Sequence, residues 1–312
     1  MNALITSLSA GLGQGAVYAL IAVSFVIIYR ATGVLNFAQP ALLILGAFAT
    51  SVFATDLGLP FWLAVLLAMA TMAALSVLIE RIAIRPMVGK PAFSAAIVTV
   101  GLFIILLVIA FRLFDSKPRT VGDPWQLKAL CLGGEATESF GVAGCSGGIQ
   151  IYENAIARFV IALAVIGLLG WWLVRSRLGL AMRATSLDQE TALAQGIDVG
   201  RMFSFSWGIS GALAALAGAL LAANGSVVQA TDALFALVAL PAIIVGGLDS
   251  LKGAVVGGLV VGVAMALTKT YQPSLAPWLG TNFENVVPYL IMLLVLLIRP
   301  YGLYGTKEVQ RV

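Results

Sequence analysis

An all-α polytopic membrane protein of eight or nine transmembrane helices, with broken or re-entrant segments, is the fold class this sequence predicts. Three observations predict it. Of 312 residues, 61% are hydrophobic and only 10% charged, where a soluble domain has about 25% charged. Apolar stretches approaching the roughly 20 residues needed to cross about 30 Å of hydrocarbon recur along the chain. The charges that remain fall at the ends of those stretches or between them. This composition excludes a soluble enzyme, a disordered tail and a nucleic-acid-binding domain. The absence of histidine excludes imidazole metal sites and His-based triads or proton relays, so no metal site and no catalytic residue is expected.

Met1 to Tyr29 is apolar and uncharged until Arg30. It lacks the basic start of a signal peptide and reads as a retained first span. Further apolar stretches run from Ala41 to Ala54, Phe61 to Ile79, Phe93 to Phe111, and Ala155 to Val174. Later ones run from Met202 to Ala223, Leu234 to Gly247, Ala254 to Leu267, and Val286 to Ile298. The shorter of these are bounded by Gly, Pro or Asn. They are either full spans extended by their flanks or broken segments. One transmembrane domain over 1–312 accommodates them all.

Lys and Arg set the orientation. If the first span ends inside at Arg30 and nine segments cross, twelve of the 18 basic residues share one side. The N-terminus is then outside and the C-terminus cytoplasmic. The largest external loop, about 115–153, contains the two cysteines, Cys131 and Cys145. A disulfide in an oxidising compartment is the expected state, with two free thiols as the alternative. Glu80, Arg81 and Arg112 sit at span ends, where snorkelling accounts for them. No carboxylate is placed within a span to carry a proton or sodium ion, and no G-x-x-x-x-G-K-[ST] motif cradles ATP phosphates. Energy for active transport would enter from another subunit.

The longest cytoplasmic loop, about 175–201, is the place for that. Ser186 and Gln189 have capping-box spacing at a helix start. Asp188 and Glu190 lie in the first turn, where the helix dipole favours negative charge. Leu187, Leu193 and Ala194 form a modest apolar stripe, and Gly196 suits the left-handed position after the helix. A capped helix of about nine residues is expected, serving either as a docking element or as an inert connector. Asn36 and Gln39 are neutral amides at the Gly33–Pro40 break. They line a substrate path, or Asn36 caps a helix whose first turn holds Pro40, or both. Gly253-x3-Gly257 and Gly258-x3-Gly262 allow close helix contact, within the chain or between subunits. Trp207 is expected near a membrane interface.

Glu190-Thr191-Ala192, three residues, then Gly196 resembles the EAA–x3–G loop of bacterial ABC-importer permeases, with Thr191 where the family usually has Ala. Arg183, Arg177-Leu178-Gly179 and Gly196-Ile197 look like the version in branched-chain amino-acid permeases of the LivH type. So do Gly15-Ala16-Val17-Tyr18-Ala19-Leu20-Ile21-Ala22, Gly33-Val34-Leu35-Asn36-Phe37-Ala38, and Ala242 to Gly262. The family's H-G-E after N-F-A is here Gln39-Pro40-Ala41. The resemblance implies that Ser186 to Gly196, including Asp188, Gln189, Glu190, Thr191 and Ala192, is a coupling helix seated in an ATP-binding subunit. It also implies a second, LivM-type permease and two cytoplasmic ATPases that bind ATP and Mg, so that this chain holds no cofactor. An external solute-binding protein and a prokaryotic inner membrane complete the expected setting. Branched-chain amino acids or related small amphipathic solutes are the expected cargo. A passive channel and a membrane-embedded enzyme are the readings from other classes.

Overall fold

The computed structural model describes residues 2–114, 118–125, 128–139, 142–146, 148–223, 228–229, 232 and 237–306. Among them, seven helices are long and apolar enough to cross a membrane. These are α1 (Asn2–Thr32), α2 (Gln39–Ser51, continued by a widened turn to Asp56), α3 (Phe61–Ile79) and α4 (Ala92–Phe114). After a loop with short strands come α5 (Glu153–Arg175), the connectors α6 (Arg177–Leu187) and α7 (Gln189–Ala194), and α8 (Val199–Ala222). The chain closes with α9 (Ala239–Gly246), α10 (Leu251–Leu275) and α11 (Val287–Ile298).

The short stretches resolve in different ways. Ala41–Ala54 and Ala254–Leu267 are full spans lengthened by their flanks. Val286–Ile298 falls in a shorter apolar helical segment, Phe283–Ile298. Of the 234–247 stretch, residues 234–236 lie outside the described residues, and the α-helix among the rest is the eight-residue α9. Val228, upstream, exchanges backbone hydrogen bonds with Arg119 of the loop after α4 (3.1 and 2.7 Å). Downstream, the free carbonyls of Val245 and Gly246 accept from Leu303 and Tyr304 (2.8 and 3.0 Å). The chain's tail thus satisfies a broken helix end that would otherwise be unpaired.

The helices sort into two layers. The apolar stretch of α1 is 89% buried, and α8 and α2 follow it inward. The corresponding stretch of α5 is 17% buried and that of α4 is 22%, which places them on the outside of the bundle. Close packing in the inner layer rests on glycine. A methyl group at Gly262 would collide with the Gly15 backbone, and one at Gly258 with Ala19, so α10 lies directly on α1. Gly253 and Gly257 press on α9 at Gly246 and Ala242. Both glycine pairs are used inside the chain. Trp207 is 1% exposed in this core, not at an interface.

In the loop between α4 and α5, β1 (Ala129–Leu132) pairs antiparallel with β4 (Ile149–Tyr152), and β2 (Glu135–Ser139) with β3 (Val142–Ser146). A Cys131–Cys145 disulfide joins β1 to β3, with Cα atoms 5.4 Å apart. Arg158 is buried near the start of α5. It donates to the Asn154 carbonyl (3.2 Å) and side-chain oxygen (3.3 Å) and to Gln14 Oε1 (3.4 Å).

Candidate functional site

Two polar regions stand out in the bundle, one inside it and one projecting from it. The inner one starts at the break after α1. Gly33, at φ +70°, turns the chain back, and residues 34–38 re-enter the bundle without helical structure. Non-helical backbone at such depth must be covered and hydrogen-bonded by protein. Thr99 of α4 does this: its hydroxyl accepts from the Phe37 amide (3.1 Å) and lies 3.3 Å from the Leu35 carbonyl oxygen. Asn36 Oδ1 accepts from the Ala38 amide (3.1 Å), and Pro40 sits in the first turn of α2. Ala38, not Asn36, is the residue immediately before that helix.

Gln39 is fully buried, and its amide reaches its full capacity of four hydrogen bonds. Its Nε2 donates to Ser24 Oγ (2.8 Å) and the Ser210 carbonyl (3.3 Å). Its Oε1 accepts from Asn36 Nδ2 (3.1 Å) and shares the Ser210 hydroxyl proton (3.0 Å) with the Ser24 carbonyl (2.9 Å). Ser24 precedes the end of α1 by eight residues, about 12 Å along the axis. The knot therefore pins α1, α2 and α8 together well inside the bundle. Ser24 and Thr99 carry no local sequence signal. Their roles depend on which helices lie beside the break.

The second region is the connector between α5 and α8. Ser176 caps α6, accepting from the Gly179 amide (2.9 Å). Arg183 donates to the Leu173 carbonyl at the end of α5 (2.7 Å), which fastens α6 beneath that span. The cap of α7 corrects the sequence expectation. Ser186 belongs to the last turn of α6, where its hydroxyl donates to the Arg183 carbonyl (2.7 Å). Asp188 is the true N-cap: its Oδ1 accepts from the Glu190 and Thr191 amides (2.9 and 3.1 Å). Its Oδ2 accepts from the Thr191 hydroxyl (2.6 Å). The Thr191 hydroxyl first, then the amides, hold the Asp188 carboxyl below the usual carboxylate range. With α6 taking Ser186, α7 has six residues rather than about nine.

The exit of α7 matches the expectation. Gly196 adopts φ +81°, its amide donates to Leu193 (2.9 Å), and Ile197 donates to Ala192 (3.0 Å). This is the paired-bond Schellman ending that favours glycine. Ala192 is buried against Ala31, Ile197, Val199 and Phe203, at the ends of α1 and α8. Asp188, Glu190 and Thr191 are exposed, Gln189 is half-buried, and Leu187 and Leu193 are 88% and 55% exposed. A cleft of about 730 Å³ runs beside them, lined in part by Arg30, Asp188, Glu190, Asp249 and Thr306. Asp249 accepts from the Thr306 amide (3.1 Å) and hydroxyl, holding the tail at the cleft's edge.

A glycine-packed helical bundle whose long helices are apolar enough to cross a membrane defines a polytopic membrane protein. The family described as branched-chain amino acid transport system permease component matches residues 7–296. The chain belongs to that family of ABC-importer permeases. It is 31% identical to the high-affinity branched-chain amino acid transport system permease protein BraD of Pseudomonas aeruginosa, over 97% of this chain and 96% of that one. It is 32% identical to a probable branched-chain amino acid transport permease protein LivH of Methanocaldococcus jannaschii, over 94% and 90%. A fructose import permease protein, FruF of Bifidobacterium longum, is 26% identical over 53% of this chain and 47% of its own.

Proposed function

We propose that this chain is one permease subunit of an ATP-driven importer for branched-chain amino acids or related small amphipathic solutes. It lies in the inner membrane of a prokaryote, N-terminus outside and C-terminus cytoplasmic, and pairs with a second, LivM-type permease. Two cytoplasmic ATPase subunits hold ATP and Mg, and an external binding protein delivers the solute. The observation that carries this reading is α7, an exposed, doubly capped helix rooted by Ala192 on the ends of α1 and α8. A helix so placed converts movement of a cytoplasmic partner into movement of the inner layer. Only a partner that fits it differently in two states shifts the bundle between them.

The re-entrant Asn36–Gln39 break belongs to the substrate path in this proposal. The support is its position: a non-helical segment at the junction of three inner helices is where small rearrangements open a passage. The two amides act there by holding α1, α2 and α8 in register. The test is uptake of radiolabelled leucine into vesicles reconstituted with the second permease, the ATPases and the binding protein. Uptake is expected only when ATP is supplied to the ATPases. Equal uptake with the ATPases omitted would replace this reading with that of a passive channel.

A further inference from the structure

The helix α3 does not stop cleanly at Ile79. It widens into a π-helical turn, Glu80–Ile84, followed by a 3-10 turn, Arg85–Met87. In a regular α-helix, residues five apart point about 140° away from each other. The widened turn instead brings Glu80 and Arg85 to one side, as such bulges do where a helix carries a special contact. The Glu80 side chain is fully buried and accepts from Arg85 Nε and Nη2, both at 3.2 Å. Snorkelling to the surface therefore does not describe it. The same Nη2 donates to the Gly200 carbonyl (3.0 Å) and Ser204 Oγ (2.7 Å). The Ser204 hydroxyl donates to Glu80 Oε2 at 2.7 Å, closing a ring of charge-assisted bonds.

Gly200 and Ser204 lie in the first two turns of α8, beside the residues that support the coupling connector. Val199 and Phe203, one position earlier in each case, pack against Ala192 of α7. One face of the start of α8 thus meets the connector, while the adjacent face is fastened to the end of α3. A buried ion pair is a poor source of stability, because desolvation offsets most of the attraction. Apolar residues would join α3 to α8 at least as firmly, but without a fixed direction.

We infer that Glu80, Arg85 and Ser204 form a positioning clamp for transport, making α3 follow α8 when the connector is displaced. This rests on the proposal that α7 docks on an ATPase. The test is the ratio of solute taken up to ATP hydrolysed in the reconstituted complex, for Arg85→Lys and Ser204→Ala. Arg85→Lys keeps the charge but loses the two-pronged contact. Ser204→Ala keeps the ion pair and its Gly200 contact and removes the hydroxyl link to α8. Both complexes should assemble and hydrolyse ATP within about twofold of the native rate, with uptake per ATP falling about tenfold for Arg85→Lys and about threefold for Ser204→Ala.

A purely structural role would lower abundance, uptake and hydrolysis in proportion and leave the ratio fixed. An unchanged ratio in Ser204→Ala overturns the clamp, and that variant decides the matter if Arg85→Lys fails to accumulate. Failure of the docking proposal looks different: Glu190→Lys would leave ATPase pull-down intact, or native uptake would need no ATP.

Discussion

The Gln39 knot and the α7 connector are both built from short polar side chains at places where helices end, yet their hydrogen bonds finish in opposite ways. In the knot, all four bonds of the Gln39 amide end on Ser24, Asn36 and Ser210, inside the protein. In the connector, Asp188 and Gly196 satisfy the backbone of α7 from within its own loop, leaving Glu190, Leu187 and Leu193 turned outward. A buried network constrains its neighbours, because each lost partner leaves a desolvated group. A self-capped helix needs no partner for its terminal groups, so Ala192 alone roots α7 on its neighbours and the exposed face is free to meet a partner. Perturbing the first should damage the bundle, and perturbing the second should damage coupling alone.

The largest effect is expected from Gln39→Ala, which strips partners from Asn36, Ser24 and Ser210 at once. Stability should fall by about 2 kcal/mol, read as a lower thermal midpoint in detergent together with reduced membrane abundance. Asn36→Ala should cost less, because Gln39 keeps three of its four bonds. Native stability with reduced leucine uptake in Gln39→Ala would break the comparison and make the amide a solute contact.

A smaller effect on the fold, though not on function, is expected from Gly196→Val. A β-branched residue at φ +81° costs about 1–2 kcal/mol locally and redirects the exit toward α8. Membrane abundance should stay native while ATP-driven uptake is lost. Glu190→Lys should likewise insert normally and weaken ATPase pull-down most. Full uptake by both variants would remove α7 from the coupling role.

The smallest effect sharpens the account of the cap. The Asp188 carboxyl titrates below its ordinary value of 3.8 in the folded loop. Its contribution is therefore fully present above the unfolded value and lost only as pH falls through the lower, folded one. Hydrogen-exchange protection of the Glu190 and Thr191 amides should be flat from about pH 8 to pH 5. Asp188→Asn should retain that protection, since Asn also caps, and Asp188→Ala should not. Loss of protection near neutral pH would show that something other than this carboxylate holds the turn.

How much of this was legible follows the range of each interaction. Gly196 is visible in the sequence because a helix exit is a local event, decided by one residue's tolerance of positive φ. The cap falls two residues later than local pattern suggests, at Asp188 rather than Ser186, because α6 extends through Leu187. Arg177–Leu187 is only weakly amphipathic, and its helix depends on Ser176 and on Arg183 reaching α5. Glu80 looked like an ordinary charged residue at a span end, since the widened turn leaves no composition signal. Its partner Ser204 lies 124 residues away.

The sequence by itself determined the solvent in which this protein folds, the approximate spans, the glycines that permit close approach and the exposed connector. Each follows from composition or from spacing within one turn of helix. Only the tertiary structure decided which helices are inner and which lie on the outside of the bundle. A span buried on every side and one exposed to lipid are both apolar all round, so periodicity cannot tell them apart. It likewise decided that Gln39 meets Ser24 and Ser210, and that Glu80 meets Arg85 and Ser204. A buried polar group must find whatever partner the packing brings, and packing over more than a hundred residues of chain is not written in any local pattern.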